Sequence, residues 1–161
     1  LVEPVKNIFE KNFKGPNQLN KFNNAKINRR DLLDEPKIEN AITESGVREN
    51  LQEGIEYMAY WKIGTGCSVV NYLMADAATC EVSRAQLWVW LKYKAKLNDG
   101  RIIDEKLIDQ LIKDELNKIK KRVGEKNFTT IPFTEASNIF KKMISKNDFD
   151  DFLTLPLYEK I

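Results

Sequence analysis

The chain has 161 residues, of which 42% are hydrophobic and 31% are charged, an ordinary balance for one globular domain with a sizeable core. Its net charge of +2 argues against nucleic acid or a membrane surface as a partner. The chain contains no histidine, which excludes a Ser-His-Asp triad, an HExxH zinc site and a histidine general base. Acid–base chemistry, if the chain performs any, is therefore expected from carboxylates.

The two cysteines, Cys67 and Cys80, are separated by neither a CxxC nor a metal-ligand spacing. This spacing predicts no disulfide framework and no zinc site, and it favours reduced thiols in a cytoplasmic protein. No segment has the pattern of a signal peptide or a membrane span. The chain starts with Leu1 inside an amphipathic pattern rather than with Met, and we interpret it as a piece of a longer protein.

Helical spacing dominates the N-terminal part of the chain. Residues 2–13 place apolar side chains on one helical face, and Gly15-Pro16-Asn17 then ends the helix. Residues 17–42 are rich in Asn, Lys and Arg, which predicts an extended connecting segment with a short helical turn at 31–34.

The remainder of the chain predicts an all-α bundle, which gives about five helices in total. We expect a single helical domain over 1–161, with an N-terminal helix and connecting segment at 1–42 and the bundle at 43–161. No segment alternates with a strand period over a useful length, although Val69 and Val70 suit a short extended piece. The predicted elements are a helix at 43–63 capped by Thr43, a loop at 67–79, a helix at 79–95, a turn at Asn98-Asp99-Gly100, a helix at 104–123 with Gly124 as its C-cap, a helix at 134–145 and a final turn at 148–154.

One carboxylate stands out because it lies among small residues at the start of a predicted helix. Asp76 is flanked by Ala75 and by Ala77-Ala78. Aspartate is a favoured N-cap residue, and spacing alone favours that role. The alternative is a catalytic base, since small neighbours allow a substrate to approach closely.

Several segments together are similar to a known family. They span nearly the whole chain in family-like order and spacing, and so the chain resembles the C-terminal domain of malate synthase of the shorter, A-type form. The segments are Gly15-Pro16-Asn17-Gln18, residues 42–50, Gly54-Ile55-Glu56-Tyr57, Trp61 with Gly64-Thr65-Gly66-Cys67, residues 73–79 with 81–88, and residues 151–156.

The resemblance implies an enzyme that joins acetyl-CoA to glyoxylate and hydrolyses the thioester to malate and free CoA, a step of the glyoxylate cycle. In this family a TIM barrel holds Mg²⁺ and glyoxylate, and the helical C-terminal domain closes over the barrel mouth and supplies the base. On this sequence the base falls on Asp76. The metal ligands and an oxyanion-stabilising Arg would lie on the barrel, so we expect no metal site here and no catalysis by this chain alone.

The resemblance also bears on neighbouring residues. Cys67 matches a family cysteine beside the CoA thioester, which makes it a possible acetyl-CoA contact; the alternative is a small buried residue near a tight turn. Arg84 and Glu81 have the spacing of a pair on one helix face, and we interpret both as structural. The chain departs from the family pattern at three positions, where Val69 replaces Pro, Tyr72 replaces Asn and Ala75 replaces Glu.

Two functional readings stay open at this point. The first is the base-supplying lid of a malate synthase, which predicts an exposed apolar patch near Val69, Val70, Tyr72, Leu73 and Met74. The second is a catalytically silent helical interaction module derived from the same fold, which the changes at 72 and 75 favour. A nucleic-acid-binding domain fits poorly, since no basic face stands out. The final residues, 159–161, are not a peroxisomal address of the Ser-Lys-Leu type, which again favours the cytoplasm.

Overall fold

A computed structural model describes residues 1–13, 15–18, 26–33 and 41–158. The chain divides into two compact units, Leu1–Glu39 and Asn40–Ile161. The first unit contains helices α1 (Val2–Asn12) and α2 (Arg29–Leu33). The helix predicted at 2–13 is confirmed, and α2 lies close to the short turn predicted at 31–34. Two parts of the predicted connecting segment, 19–25 and 34–40, lie outside the described residues.

The second unit is a helical bundle with one small β-hairpin. Its elements are α3 (Glu44–Lys62), β1 (Ser68–Val70), β2 (Leu73–Ala75), α4 (Ala77–Lys92), α5 (Glu105–Thr130), α6 (Phe133–Ile144) and α7 (Leu155–Tyr158). Over both units, five of the described helices have eleven or more residues. The predicted all-α class with about five helices is therefore confirmed, and α2 and α7 are additional short helices. No described helix is long and apolar enough to cross a membrane.

Side-chain caps set the beginnings of three helices. Thr43, Asp76 and Asp104 each accept a hydrogen bond from the backbone N–H three residues further on, at the starts of α3, α4 and α5. Such caps satisfy backbone donors that have no partner inside the helix. The Thr43 cap was predicted, whereas α4 begins two residues earlier than the sequence suggested because Asp76 occupies the cap position.

Helix α3 lies at the centre of the bundle and packs against α4, α6 and α5. Its apolar stripe was predicted from the 3.6-residue period and is fully buried. The core joins this stripe to apolar residues of the neighbouring helices: Val47, Leu51, Ile55, Met58, Cys80, Leu87, Ile108, Leu111, Ile119, Phe133, Phe140 and Met143.

Gly124 divides α5 into two helical segments. Its φ of 81° and ψ of 160° are non-helical, as expected for a glycine that follows a helix. The first segment therefore ends before Gly124, as predicted, and a second segment, which was not predicted, continues to Thr130. The second segment packs against the start of α6, because the ring of Phe128 stacks on that of Phe133 with the ring centroids 5.7 Å apart.

The segment predicted as a loop at 67–79 contains the hairpin, and this is the main correction to the sequence analysis. Strands β1 and β2 pair antiparallel, with Ser68 opposite Ala75 and Val70 opposite Leu73. The turn residues Asn71 and Tyr72 have φ values of 50° and 64°, the left-handed pair that a two-residue hairpin turn requires. The hairpin leads directly into Asp76 and α4.

We expect Gly54→Ala to destabilise the fold by about 1–3 kcal/mol, because overpacking a close helix–helix contact forces the neighbours apart. A Cβ on Gly54 would overlap the ring of Phe140, which is fully buried and has no room to move. Gly46→Ala on the same helix is the matched control, since its Cβ would only touch Thr43 Oγ1 at 3.4 Å. Urea unfolding of the two variants measures the difference; equal stabilities would contradict the packing argument.

Candidate functional site

Asp76 lies at the junction between the hairpin and α4. Its backbone is extended, with φ −110° and ψ −174°, because the residue leaves β2 and begins the helix in one step. Oδ1 accepts hydrogen bonds from the backbone N of Thr79 at 3.0 Å and from Thr79 Oγ1 at 3.2 Å. These hydrogen bonds confirm that Asp76 is the N-cap of α4. Both bonds fall on Oδ1, so the second carboxylate oxygen is not committed to this cap.

The small neighbours of Asp76 differ in exposure, and its carboxylate is held by the helix start. Ala75, which precedes Asp76, is buried, whereas Ala77 and Ala78, which follow it, are exposed. The backbone N–H of Thr79 is the main cause that holds the pKa of Asp76 below its ordinary value. The carboxylate is therefore ionised at neutral pH, which is the state in which it can accept a proton.

The lowered pKa of Asp76 predicts a pH dependence of stability. A carboxyl group whose pKa is lower in the folded chain stabilises the fold above its unfolded pKa of about 3.9, and this contribution is lost as the pH falls through the folded value. We expect the stability difference between the wild type and Asp76→Asn to be constant from pH 8 to 5 and to change below about pH 4. Thermal unfolding at several pH values measures this difference; a constant difference down to pH 2.5 would contradict the cap geometry.

An exposed apolar surface surrounds the tip of the hairpin. Val69, Tyr72, Leu73 and Met74 are each at least two-thirds exposed; we call these four side chains the hairpin face. The predicted patch is confirmed for these four residues and is wrong for Val70, which points inward and is buried. Clustered exposed apolar side chains of this kind mark interaction surfaces.

Cys67 precedes β1 and is exposed, so the interpretation as a small buried residue is wrong. Cys80 is buried, and burial raises the pKa of its thiol, which makes this cysteine inert as a nucleophile. Tyr57 on α3 is a residue that the sequence analysis did not single out. Burial raises the pKa of Tyr57, and the nearby charges of groups including Asp76 add to the effect, which keeps its hydroxyl protonated beside the candidate site.

Arg84 joins α4 to the C-terminal segment 149–153. It is buried, with 1% of its surface exposed. Its Nε donates to Glu81 Oε2 at 2.8 Å, its Nη2 donates to the carbonyl of Asp150 at 2.9 Å, and its guanidinium lies 3.9 Å from the Phe149 ring centroid. Glu81 Oε1 accepts from the backbone N of Leu153 at 2.7 Å. The predicted Glu81–Arg84 pair is confirmed, and it fixes the helix that carries Asp76 at its start.

Sequence reasoning missed a second polar group, which lies behind the hairpin tip. Gln52 and Glu56 are four residues apart on α3, a spacing visible in the sequence. Their partners Asn71 and Arg122 come from the hairpin and from α5, and no local signal indicates that these elements meet.

The part of the chain that the structure describes contains no group of three or more His, Cys, Asp or Glu side chains that could hold a metal ion. Asp76 has no second carboxylate within its hydrogen-bond network. These residues do not fit a magnesium site.

The structure defines a mostly helical domain with a capped, ionised aspartate beside an exposed apolar hairpin, and comparisons with known proteins identify its family. A model of the family described as "Malate synthase, C-terminal" matches residues 41–161. The chain is 38% identical to a malate synthase of Myxococcus xanthus and 37% identical to a glyoxysomal malate synthase of Candida tropicalis, over its whole length in both cases. It is also 39% identical to a bifunctional glyoxylate cycle protein of Caenorhabditis elegans.

The chain belongs to the malate synthase C-terminal domain family, which confirms the resemblance noted from the sequence. It covers 30% of the Myxococcus protein, 29% of the Candida protein and 16% of the Caenorhabditis protein. The chain therefore spans less than a third of the length of these curated relatives.

Proposed function

We propose that this chain is the lid of a malate synthase and that Asp76 is the catalytic base. The single observation that carries the proposal is the placement of an ionised, capped carboxylate among small residues, with Ala77 and Ala78 exposed, next to the hairpin face. Membership of the family and the names of the relatives support it. The remaining two-thirds of such an enzyme would supply a barrel with Mg²⁺ and glyoxylate, and acetyl-CoA would bind between barrel and lid.

In the proposed reaction, Asp76 removes a proton from the acetyl methyl group of acetyl-CoA. The electron pair of the broken C–H bond forms an enolate, which attacks the aldehyde carbon of glyoxylate and makes the new C–C bond. Water then cleaves the thioester, which gives malate and free CoA. A carboxylate is a weak base for a carbon acid, so this role needs tight positioning and exclusion of water by the barrel.

The hairpin face supports the same proposal, because its four apolar side chains would be covered when the lid closes on the barrel. Cys67, exposed at the start of the hairpin, is proposed to contact acetyl-CoA. A cytoplasmic location is also proposed, supported by two cysteines that are both free thiols.

The test is glyoxylate-dependent release of free thiol from acetyl-CoA in the presence of Mg²⁺. We expect release by the full-length polypeptide that contains this chain and none by the 161-residue chain alone. A folded full-length polypeptide that releases no thiol would contradict the proposal and favour the alternative, a silent interaction module, for which Ala75 and Tyr72 are the supporting observations. Release by the isolated chain would contradict the need for a barrel.

A further inference from the structure

A chain of four polar side chains runs from α5 across α3 to the tip of the hairpin. Arg122 Nη2 lies 2.5 Å from Glu56 Oε2, and Gln52 Nε2 donates to Glu56 Oε1 at 2.7 Å. Asn71 Nδ2, at the hairpin turn, donates to Gln52 Oε1 at 3.2 Å. The carboxylate of Glu56 is 1% exposed. It is the buried end of a connection that reaches the surface at the turn.

The carboxylate fixes the orientation of both amides. A carboxylate paired with an arginine accepts hydrogen bonds, so Gln52 directs its Nε2 to Glu56 Oε1 at 2.7 Å. The same Nε2 also lies 3.5 Å from Asn71 Oδ1, and Gln52 Oε1 faces the hairpin. Asn71 must then offer its Nδ2 to Gln52. Arg122 Nη2 lies beside the other carboxylate oxygen and supplies the opposite charge that a buried carboxylate needs. The order of donors and acceptors along the four side chains is therefore set from the buried end.

The hairpin turn needs such an anchor because its backbone is costly. Asn71 and Tyr72 both have positive φ. Asparagine tolerates this conformation, whereas a bulky side chain such as tyrosine is disfavoured there. Tyr72 is fully exposed, so no burial of its ring offsets that cost. Strained backbone of this kind persists where the surrounding contacts hold it in place.

We propose that Gln52 and Asn71, oriented by Glu56 and Arg122, are positioning residues for Asp76. The hairpin carries Asp76 at the end of β2, so an anchor at the turn restrains the carboxylate from the side opposite to its own helix cap. The inference rests on the proposed function of Asp76. The anchoring of the hairpin itself can be measured without that function.

The experiment compares Gln52→Met with Gln86→Met in the full-length polypeptide. Methionine keeps the length and helix propensity of glutamine and removes the hydrogen bonds. Gln86 is a matched control, because it also joins two elements through an amide pair, with Asn50 Nδ2 donating to its Oε1 at 2.8 Å, but it does not touch the hairpin. Hydrogen exchange by mass spectrometry follows the amides of 68–75, and steady-state kinetics follows thiol release.

We expect Gln52→Met to speed exchange of the hairpin amides about threefold to tenfold, as for the loss of one net hydrogen bond, and Gln86→Met to leave it unchanged. Tyr72→Gly, added to Gln52→Met, should restore part of the protection because glycine adopts positive φ without strain. In the single variant Gln52→Met, kcat should fall several-fold while the KM for glyoxylate stays constant, since the barrel would hold glyoxylate.

Unchanged hydrogen exchange of the hairpin amides in Gln52→Met, or equal acceleration in Gln86→Met, would refute the claim that Gln52 anchors the hairpin turn. Faster exchange with unchanged kcat would keep the anchor and overturn its role in positioning Asp76. If Gln52→Met does not fold, Glu56→Gln replaces it, because an amide at 56 no longer dictates which way Gln52 points, and it should give the same pattern. A wild-type polypeptide without thiol release would refute the proposed function, and with it the role of Gln52 and Asn71 in positioning Asp76. Hydrogen exchange alone would still show whether these residues anchor the hairpin turn.

Discussion

Asp76→Asn should abolish turnover of the full-length polypeptide and leave its stability nearly unchanged. Asparagine caps helices as well as aspartate does, so the N–H of Thr79 keeps its acceptor and the free energy of unfolding should change by less than about 0.5 kcal/mol. The amide cannot accept the methyl proton, and loss of a general base lowers rates about 10²- to 10⁴-fold. Thiol release and thermal unfolding, measured on one preparation, separate the two roles of this side chain.

Asp76→Ala is the matched variant, because it removes the cap as well as the base. We expect the same loss of turnover as in the asparagine variant and an additional loss of about 1 kcal/mol in stability. The cap-only interpretation predicts the opposite order: a near-normal rate for asparagine and a reduced rate only for alanine. An asparagine variant with wild-type kcat would therefore remove Asp76 from the mechanism.

Arg84→Ala should have the largest effect on stability, with a loss of about 3 kcal/mol in the free energy of unfolding. The side chain is 1% exposed, and its removal leaves the Asp150 carbonyl and one oxygen of Glu81 without their donor. The stacking on Phe149 is lost at the same time. The side chain of Glu81 is 28% exposed, so water reaches it after Arg84 is removed. The loss in the free energy of unfolding therefore stays at the lower end of the range for breaking a buried ion pair.

Arg101→Ala provides the control for this prediction. Arg101 pairs with both Glu44 and Asp99, yet it is 48% exposed at its side chain. Exposed pairs contribute about 0–1 kcal/mol, so its removal should cost far less than that of Arg84. Arg84→Lys keeps the charge but not the planar stacking group, so its stability should lie between those of Arg84→Ala and Arg101→Ala. Urea unfolding of the three variants would contradict this order if Arg101→Ala were the least stable.

The helices could be predicted from the sequence because their apolar residues repeat at helical spacing and their ends carry recognisable caps. Val47, Leu51 and Ile55 are an example, with Thr43 as the cap. The short extended piece expected at Val69 and Val70 is confirmed as part of β1, but its pairing with β2 could not be predicted, for a physical reason. The exposed cross-strand pair Val69 and Met74 is as apolar as the buried Val70, so the alternation that indicates a strand is absent. The turn also lacks the glycine that normally marks a two-residue hairpin.

The candidate site was predictable in part. The position of Asp76 at a helix start follows from its small neighbours and the spacing to Thr79, and the cap geometry agrees. The role as a base comes from the family resemblance and stays a prediction. The support around the site was not predictable, because Arg84 reaches Asp150 across 66 positions and Arg122 reaches Glu56 across the bundle. Contacts between such distant segments leave no local pattern in the sequence.

Proton removal from the acetyl methyl group by Asp76 is the central claim, and deuterium exchange tests it most directly. The full-length polypeptide is incubated in D₂O with acetyl-CoA, Mg²⁺ and pyruvate, a keto acid less electrophilic than glyoxylate that fills its place. Mass spectrometry then follows the incorporation of deuterium into the acetyl methyl group of acetyl-CoA. We predict incorporation by the wild type and none above background by Asp76→Asn. Equal rates of incorporation in the two proteins would contradict the assignment of Asp76 as the base.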